Sequence, residues 1–156
     1  MANIQTLLVL LEQHERARDE AIAKHQRLVR MAEAAAAQSE QLHTYRGEYE
    51  QRWSAQFARR GQIELVHCYQ SFMERLTQAV EQQARMAELA AQQLERAQAA
   101  LRTAEMRCAS VRKLIERRMQ EQRVATERRD QKQSDEFASR VAWNNRLGAN
   151  GGPRLM

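Results

Sequence analysis

Proline and glycine, the residues that most often interrupt regular secondary structure, are scarce in this chain of 156 residues. The one proline is at position 153, and three of the five glycines also lie after residue 147. From Asn3 to Leu147 the chain is therefore almost free of helix breakers, and Ala, Gln, Glu, Arg and Leu dominate. β-Branched and aromatic residues are few and never alternate with polar ones, so strands are not expected. We predict an all-α protein.

Side chains that carry out chemistry are also rare, and their spacing fits no catalytic or metal site. The histidines form no i, i+4 pair of the kind that holds a metal on a helix, and no glycine-rich phosphate loop occurs. Cys68 and Cys108 fall on one predicted helix, too far apart for a disulfide, and free thiols fit a reducing compartment. We therefore predict a protein that is not an enzyme, with no catalytic residue, metal site or cofactor.

Blocks of one charge and long apolar runs are missing too. The 25 basic and 20 acidic residues are interleaved and give a net charge of +5, which is typical of a solvated surface. This pattern disfavours a helical nucleic-acid binder, whose affinity would fall steeply with salt. The apolar segment Thr6–Leu11 is too short for a membrane span and lacks the features of a signal peptide. No direct insertion into a membrane is predicted.

The chain does have a long, regular apolar stripe. Alternating steps of three and four residues, starting at Val66, meet apolar side chains at every position except Gln83. A period near 3.5 residues is typical of a left-handed coiled coil, because it keeps one stripe of a helix turned towards a partner. The positions of this seam are Val66, Tyr69, Met73, Leu76, Val80, Gln83, Ala87, Ala90, Leu94, Ala97, Leu101, Ala104, Cys108, Val111 and Ile115.

The same steps define a weaker seam on an earlier helix. His14, Arg18, His25 and Arg46 fall on it, and polar residues there weaken packing although they can fix the register and the number of partners. The positions of this second seam are Ile4, Leu7, Leu11, His14, Arg18, Ala21, His25, Leu28, Ala32, Ala35, Ser39, Leu42, Arg46, Tyr49 and Trp53.

The two seams predict an antiparallel coiled-coil hairpin. Asn3 can cap the first helix, and Gly61 can end it just after two arginines that suit the negative end of the helix dipole. The predicted parts are helix 1 at about 3–58, a turn at about 59–62, helix 2 at about 63–142, and a flexible tail at 144–156 after a hairpin domain of residues 1–143.

A fold near residue 60 also fixes which residues face each other. Tyr49 comes level with Phe72, and Gln38 comes level with Gln83. Helix 2 is longer, so the part after about Met119 extends beyond helix 1 at the end that carries both chain termini. This overhang is either a solvated helix face or a segment that another molecule covers.

Aromatic residues concentrate near the predicted turn. All three tyrosines and two of the three phenylalanines lie between Tyr45 and Phe72. They either pack the hairpin near its tip or form a docking surface, since aromatic side chains offer a large contact area at low entropic cost. Both interpretations hold together if one stripe faces inwards and another outwards.

Four sequence motifs resemble the FliJ family of flagellar type III export proteins. The motifs are Tyr45-Arg46-Gly47-Glu48-Tyr49, Tyr69-Gln70-Ser71-Phe72 with Leu76, Ala79-Val80-Glu81-Gln82, and the run from Asp130 to Arg140. The resemblance covers most of helix 2 and the last third of helix 1. It implies a cytoplasmic, non-catalytic antiparallel coiled coil that is similar to the central stalk of rotary ATPases.

The resemblance also implies partners. The end that carries the termini would bind the ring of the export ATPase and promote its assembly. The protein would contact the cytoplasmic domain of the export gate, a membrane protein, and escort export chaperones. It would thus lie in the cytoplasm, peripherally at the inner face of the cell membrane through the export apparatus.

Residue roles follow from the matched motifs. The residues implied in gate binding are Gln38, Leu42, Tyr45, Tyr49, Phe72, Leu76, Ala79 and Gln83. Those assigned to the ATPase ring are Arg117, Arg118, Arg128, Arg129, Asp130, Lys132, Asp135, Phe137 and Arg140. The alternative is a structural coiled-coil homodimer or scaffold without an ATPase partner, in which parallel chains would place two Cys108 residues across the seam.

Overall fold

The computed structural model describes residues 3–59 and 62–150. Helix α1 spans Ile4–Arg59 and helix α2 spans Ile63–Asn150, and these described ranges contain no strand. The prediction of an all-α chain with two long helices, the second longer than the first, is therefore confirmed.

Helix α1 begins at a side-chain cap. The Oδ1 atom of Asn3 accepts a hydrogen bond from the backbone N–H of Gln5 at 2.7 Å. The backbone carbonyl of Asn3 accepts another from the N–H of Leu7 at 3.1 Å, which starts the helical ladder. Two N–H groups of the first turn thereby gain partners, as expected of an asparagine at the N-cap position.

The connection between the helices lies partly outside the described residues. Helix α1 ends with Arg59, a basic side chain that suits the negative end of the helix dipole. Helix α2 begins after Gln62, whose carbonyl accepts a hydrogen bond from the N–H of Val66 at 3.2 Å. Arg60 and Gly61 are not among the described residues, so the capping role of Gly61 stays a prediction.

The end of α2 differs from the sequence expectation. The helix continues to Asn150, whereas the sequence predicts a helix to about 142 and a flexible tail at 144–156. Asparagine and glycine weaken a helix by only about 0.5–1 kcal/mol each relative to alanine, and an existing helix propagates readily through them. Residues 151–156 lie outside the described residues.

Two compact units make up the chain, and the first is Gln13–Cys108. Within it, Nε2 of Gln83 lies 3.0 Å from Oε1 of Gln38, and the rings of Tyr49 and Phe72 are 4.4 Å apart. Residue numbers fall on one helix as they rise on the other, so the helices run antiparallel in the predicted register. The seam of α2 thus packs on α1 of the same chain, which contradicts the parallel homodimer alternative.

The second unit comprises Met1–Glu12 and Ala109–Met156. Its core is formed by Leu7, Val111 and Ile115, which are 3%, 8% and 7% exposed. Leu11 packs against this cluster from the side. Fully burying such an aliphatic side chain contributes about 1.5–3 kcal/mol, which holds the start of α1 on α2.

Burial follows both predicted seams closely. Every one of their positions is buried or half-buried, including His14, Arg18 and His25. The α2 positions with the least exposure within Gln13–Cys108 are Ala97 at 6% and Cys108 at 1%. Many seam residues are alanines, which allow close approach of the helices but bury little apolar area each.

Candidate functional site

Six rings form an aromatic cluster within Gln13–Cys108. Tyr49 lies at its centre, with ring centroids 4.4 Å from Phe72, 5.7 Å from Trp53, 6.1 Å from Tyr45 and 6.2 Å from Tyr69. Such distances are favourable for aromatic pairs and add about 0.5–1.5 kcal/mol per pair beyond area burial. Three of these residues, Tyr45, Tyr49 and Phe72, were predicted to bind the export gate.

Trp53 and Phe57 complete the aromatic cluster, although neither was predicted as a site residue. Trp53 lies 5.3 Å from Phe57 and 5.5 Å from Tyr69, and Phe57 lies 5.2 Å from Tyr69. A spacing of four residues from Tyr45 through Tyr49 and Trp53 to Phe57 places these rings along one side of α1. That spacing is the sequence signal that identifies the two additional members.

The residues predicted for gate binding differ in exposure. Tyr45 is 46% exposed and Gln38 is also exposed, whereas Leu76 is 8% exposed and packs inside the helix pair. The half-buried members of the set are Leu42, Tyr49, Phe72, Ala79 and Gln83. Leu76 thus contacts the partner helix, and the outward side of the aromatic cluster is accessible mainly at Tyr45.

Charged side chains border the aromatic cluster and affect the pKa of Tyr69 within it. Arg46 and Glu50, one helical turn apart, form an ion pair of 3.6 Å next to the tyrosines. Burial raises the pKa of Tyr69, the negative charge of Glu50 raises it further, and the positive charge of Arg46 acts against the shift. The phenol of Tyr69 therefore stays protonated to higher pH than a free tyrosine.

On the α2 side, a groove of about 490 Å³ opens beside the aromatic cluster. It is lined by the rings of Tyr49, Trp53 and Phe72 and by the polar side chains of Cys68 and Arg75, among others. Arg75 donates a hydrogen bond to Oγ of Ser71 at 3.2 Å, one turn earlier on α2. The groove combines an aromatic wall with a cation, a combination that suits an apolar side chain next to a carboxylate.

The predicted overhang is visible as a long exposed part of α2. From residue 119 to residue 149, Val124 is half-buried and every other side chain is exposed. A cavity of about 300 Å³ lined by Ile4, Gln122 and Ala125, among others, marks how far the start of α1 reaches along α2. The overhang therefore has no cover from α1 over most of its length.

Residues assigned to the ATPase ring are spread along this segment. Arg118 is half-buried and forms an ion pair of 3.7 Å with Glu121, and the others are exposed. Gln131 donates a hydrogen bond to Asp135 at 3.2 Å, which supports the helix locally. The charges lie over many turns of one helix, so they form an extended surface and not an enclosed site.

Comparison with known proteins decides the identity of the chain. The family model described as flagellar FliJ protein matches residues 3–147. The chain belongs to the flagellar FliJ family. No curated protein and no solved structure matches it.

Membership in the FliJ family makes the chain a component of the flagellar export apparatus, and this family is not an enzyme family. The match includes nearly all of α1 and α2, so both the aromatic cluster and most of the overhang lie inside the family region. The predicted membership in the FliJ family is therefore confirmed.

This FliJ family member also carries two free thiols, Cys68 and Cys108. Cys68 is exposed and Cys108 is 1% exposed, at a seam position. Within the described ranges, no three His, Cys, Asp or Glu side chains are grouped as a metal site requires. No helix in the described part of the chain is long and apolar enough to cross a membrane.

Proposed function

We propose that this FliJ family member is a coiled-coil adaptor that binds the flagellar export ATPase through its overhang and promotes assembly of the ATPase ring. It contacts the export gate through the outward side of the aromatic cluster and escorts export chaperones. It works in the cytoplasm, held at the membrane through the export apparatus. The observation that carries this proposal is the uncovered α2 segment 119–149.

The overhang is suited to a protein partner that surrounds it. A single helix without tertiary packing gains little stability from propensity alone, so a segment of this length is best explained by a partner that covers it. Between residues 119 and 136 its arginines, lysine and carboxylates alternate over successive turns, which gives a surface of mixed charge. Ion pairs between such exposed side chains and a partner determine the orientation and the rate of association more than the affinity.

Export ATPase activity and ring assembly are the direct test of this role. We expect the full chain to increase both ATP hydrolysis and assembly of the matching export ATPase. A chain that ends after Thr126 keeps Gln122 and Ala125 near the start of α1, so its helix pair stays intact while most of the overhang is lost. This truncated chain should bind the gate but lose the effect on the ATPase. Full stimulation by the truncated chain would contradict the proposal.

Gate binding depends mainly on exposed aromatic area. Tyr45 is 46% exposed and its ring lies 6.1 Å from that of Tyr49, so a partner that covers Tyr45 extends an existing aromatic contact. Leu76 is a poor probe, because Leu76→Ala creates a cavity in the helix pair and costs about 2–4 kcal/mol of stability.

Binding of the purified cytoplasmic gate domain tests this surface. Tyr45→Ala should weaken binding about tenfold or more, in line with the loss of an interface hot spot, while helicity stays unchanged. Met31→Ala is the matched control, since Met31 is 53% exposed on the same helix but lies away from the aromatic cluster. Equal affinity of the Tyr45 variant and the wild type would exclude Tyr45 from the interface.

A further inference from the structure

The last turns of α2 expose four large apolar side chains. Phe137 is 70% exposed, Trp143 62%, Leu147 54% and Val141 41%. Two of these side chains lie beyond residue 142, where the sequence predicted no helix. Because α2 continues to Asn150, all four belong to one regular helix and their relative directions are fixed.

All four side chains lie on one side of this helix. At 3.6 residues per turn, the directions from Trp143 through Leu147 and Phe137 to Val141 cover an arc of about 160°. Arg140, Asn144 and Gly148 also lie within this arc, and the rest of the circumference between Phe137 and Asn150 carries alanine, serine, asparagine and Arg146. The four large apolar side chains therefore share one side of the last turns of α2, and the opposite side carries small and polar residues.

The charge pattern changes at the same point. Between residues 117 and 136 basic and acidic side chains alternate, but from residue 137 to residue 156 the chain contains no Asp or Glu. The charged side chains in that stretch are Arg140, Arg146 and Arg154. An acid-free segment with exposed Trp and Phe has the composition of helices that lie in the interface of anionic membranes.

We propose that the end of α2, residues 137–150, binds the surface of an anionic phospholipid membrane and lies in the headgroup region without crossing the bilayer. This gives the protein a membrane contact of its own, in addition to any contact through the export apparatus. It goes beyond the function proposed above and divides the overhang: the end from Phe137 onward binds lipid, and residues 119–136 remain for the ATPase.

The distribution of the apolar side chains fits a flat surface better than a groove on a protein. A helix that binds in a groove presents a narrow stripe at i, i+3, i+4 and i+7. From Phe137 that stripe would contain Arg140, Val141 and Asn144, which is mostly polar. The apolar residues instead flank Arg140 over a wide arc, where its guanidinium can reach lipid phosphates by snorkelling.

Vesicle binding by the full chain tests this proposal. The Trp53→Phe variant keeps a ring in the aromatic cluster and leaves Trp143 as the one tryptophan, which then reports on its surroundings. With phosphatidylglycerol vesicles we expect co-sedimentation and a shift of Trp143 emission to shorter wavelength. With phosphatidylcholine vesicles we expect neither change, because the arginines find no anionic surface.

Two sets of variants separate apolar from electrostatic binding. The double variant Trp143→Ser, Leu147→Ser should weaken partitioning into anionic vesicles about tenfold or more, since it removes apolar area from the interface. Arg140→Gln with Arg146→Gln should weaken binding to anionic vesicles and reduce its salt dependence. Met106→Ser is the matched control, because Met106 is 69% exposed on α2 but lies far from residue 137, and it should bind as the wild type does.

Three results would overturn the proposal. One is no binding to phosphatidylglycerol vesicles at low salt. Another is unchanged vesicle binding by the Trp143, Leu147 variant, which would mean that unspecific charge attraction holds the chain on the membrane. The third is loss of ATPase co-elution by the Trp143, Leu147 variant while the wild type itself does not bind vesicles, which would assign the four apolar side chains to a protein partner.

Discussion

Gln83 donates a hydrogen bond from Nε2 to Oε1 of Gln38, 3.0 Å away, and so joins α2 to α1 at the polar position of an otherwise apolar seam. Any shift of one helix along the other separates the two amides, so the pair favours a single register. We expect Gln38→Ala and Gln83→Ala each to lower the free energy of unfolding by about 0.5–1 kcal/mol. Urea unfolding followed by circular dichroism measures these changes.

A double-mutant cycle isolates the contact between the two amides. If they act through this hydrogen bond, the double variant should lose no more than about 0.5–1 kcal/mol in total. Gln82→Ala is the control, since Gln82 is the exposed neighbour of Gln83. Strict additivity of the two single variants would show that the hydrogen bond contributes nothing to stability.

Arg18 places a charge on the seam of α1. Its side chain is 25% exposed, and its guanidinium forms an ion pair of 2.9 Å with Asp19. The hydrogen bond to Asp19 raises the pKa of Arg18, so the charge persists at every accessible pH. We expect Arg18→Leu to raise the free energy of unfolding, because an apolar residue at this seam position packs against α2 better than a charged one does.

Thermal unfolding measures the effect of the Arg18 variant. Arg27→Leu removes one positive charge from an exposed position of the same helix and should change stability by no more than about 0.5 kcal/mol. A lower melting temperature for Arg18→Leu, with an unchanged one for Arg27→Leu, would show that the charge on the seam stabilises the helix pair.

The two thiols should react at very different rates. Cys68 is exposed, whereas Cys108 is 1% exposed on the seam that packs on α1. With an aromatic disulfide reagent we expect one fast thiol per chain, and Cys68→Ser should abolish the fast phase. The second thiol should react only when the helices separate or unfold. Two fast thiols, or rapid Cys108–Cys108 crosslinking in the Cys68→Ser variant, would contradict the packing within one chain.

The sequence predicts this fold well because its main signal is periodic. Each seam position from Ile4 to Trp53 and from Val66 to Ile115 is buried or half-buried, since a 3.5-residue period specifies both the helix and its buried side. Scarcity of glycine and proline left one place for a turn, and that place fixed the register that brings Gln38 opposite Gln83.

The ends of helices and the exposure of individual side chains are harder to predict than the periodic seams. The sequence predicted the end of α2 too early, because Asn144, Asn145 and Gly148 were interpreted as helix breakers. A long helix continues through such residues at a small cost in free energy. Leu76 was assigned to a docking surface but is 8% exposed, since a seam residue in a docking motif faces its own partner helix first. Trp53 and Phe57 were missed as site residues although the four-residue spacing from Tyr49 indicates them, and their contacts with Tyr69 depend on side-chain directions across the helix pair.

Tyr69 should make stability depend on pH in the alkaline range. Burial, aided by the negative charge of Glu50, raises the pKa of Tyr69 above its ordinary value of 10.0. The folded chain therefore holds the phenol proton more tightly than the unfolded chain does. The stabilisation that follows is fully present below about pH 10 and is lost as the pH rises through the raised pKa. We expect the melting temperature of the wild type to fall above about pH 10.

Tyr69→Phe removes this titration while it keeps the ring among Tyr49, Trp53 and Phe57. The variant should therefore lose less melting temperature than the wild type between about pH 9 and about pH 11. Phe72→Leu is the matched control, since it loosens the same cluster but keeps the Tyr69 hydroxyl. It should melt at a lower temperature at every pH with the slope of the wild type retained. If the melting temperatures of the wild type and Tyr69→Phe fall in parallel with pH, the Tyr69 phenol has the same pKa in the folded and unfolded chains. That result would contradict the raised pKa of Tyr69 in the aromatic cluster.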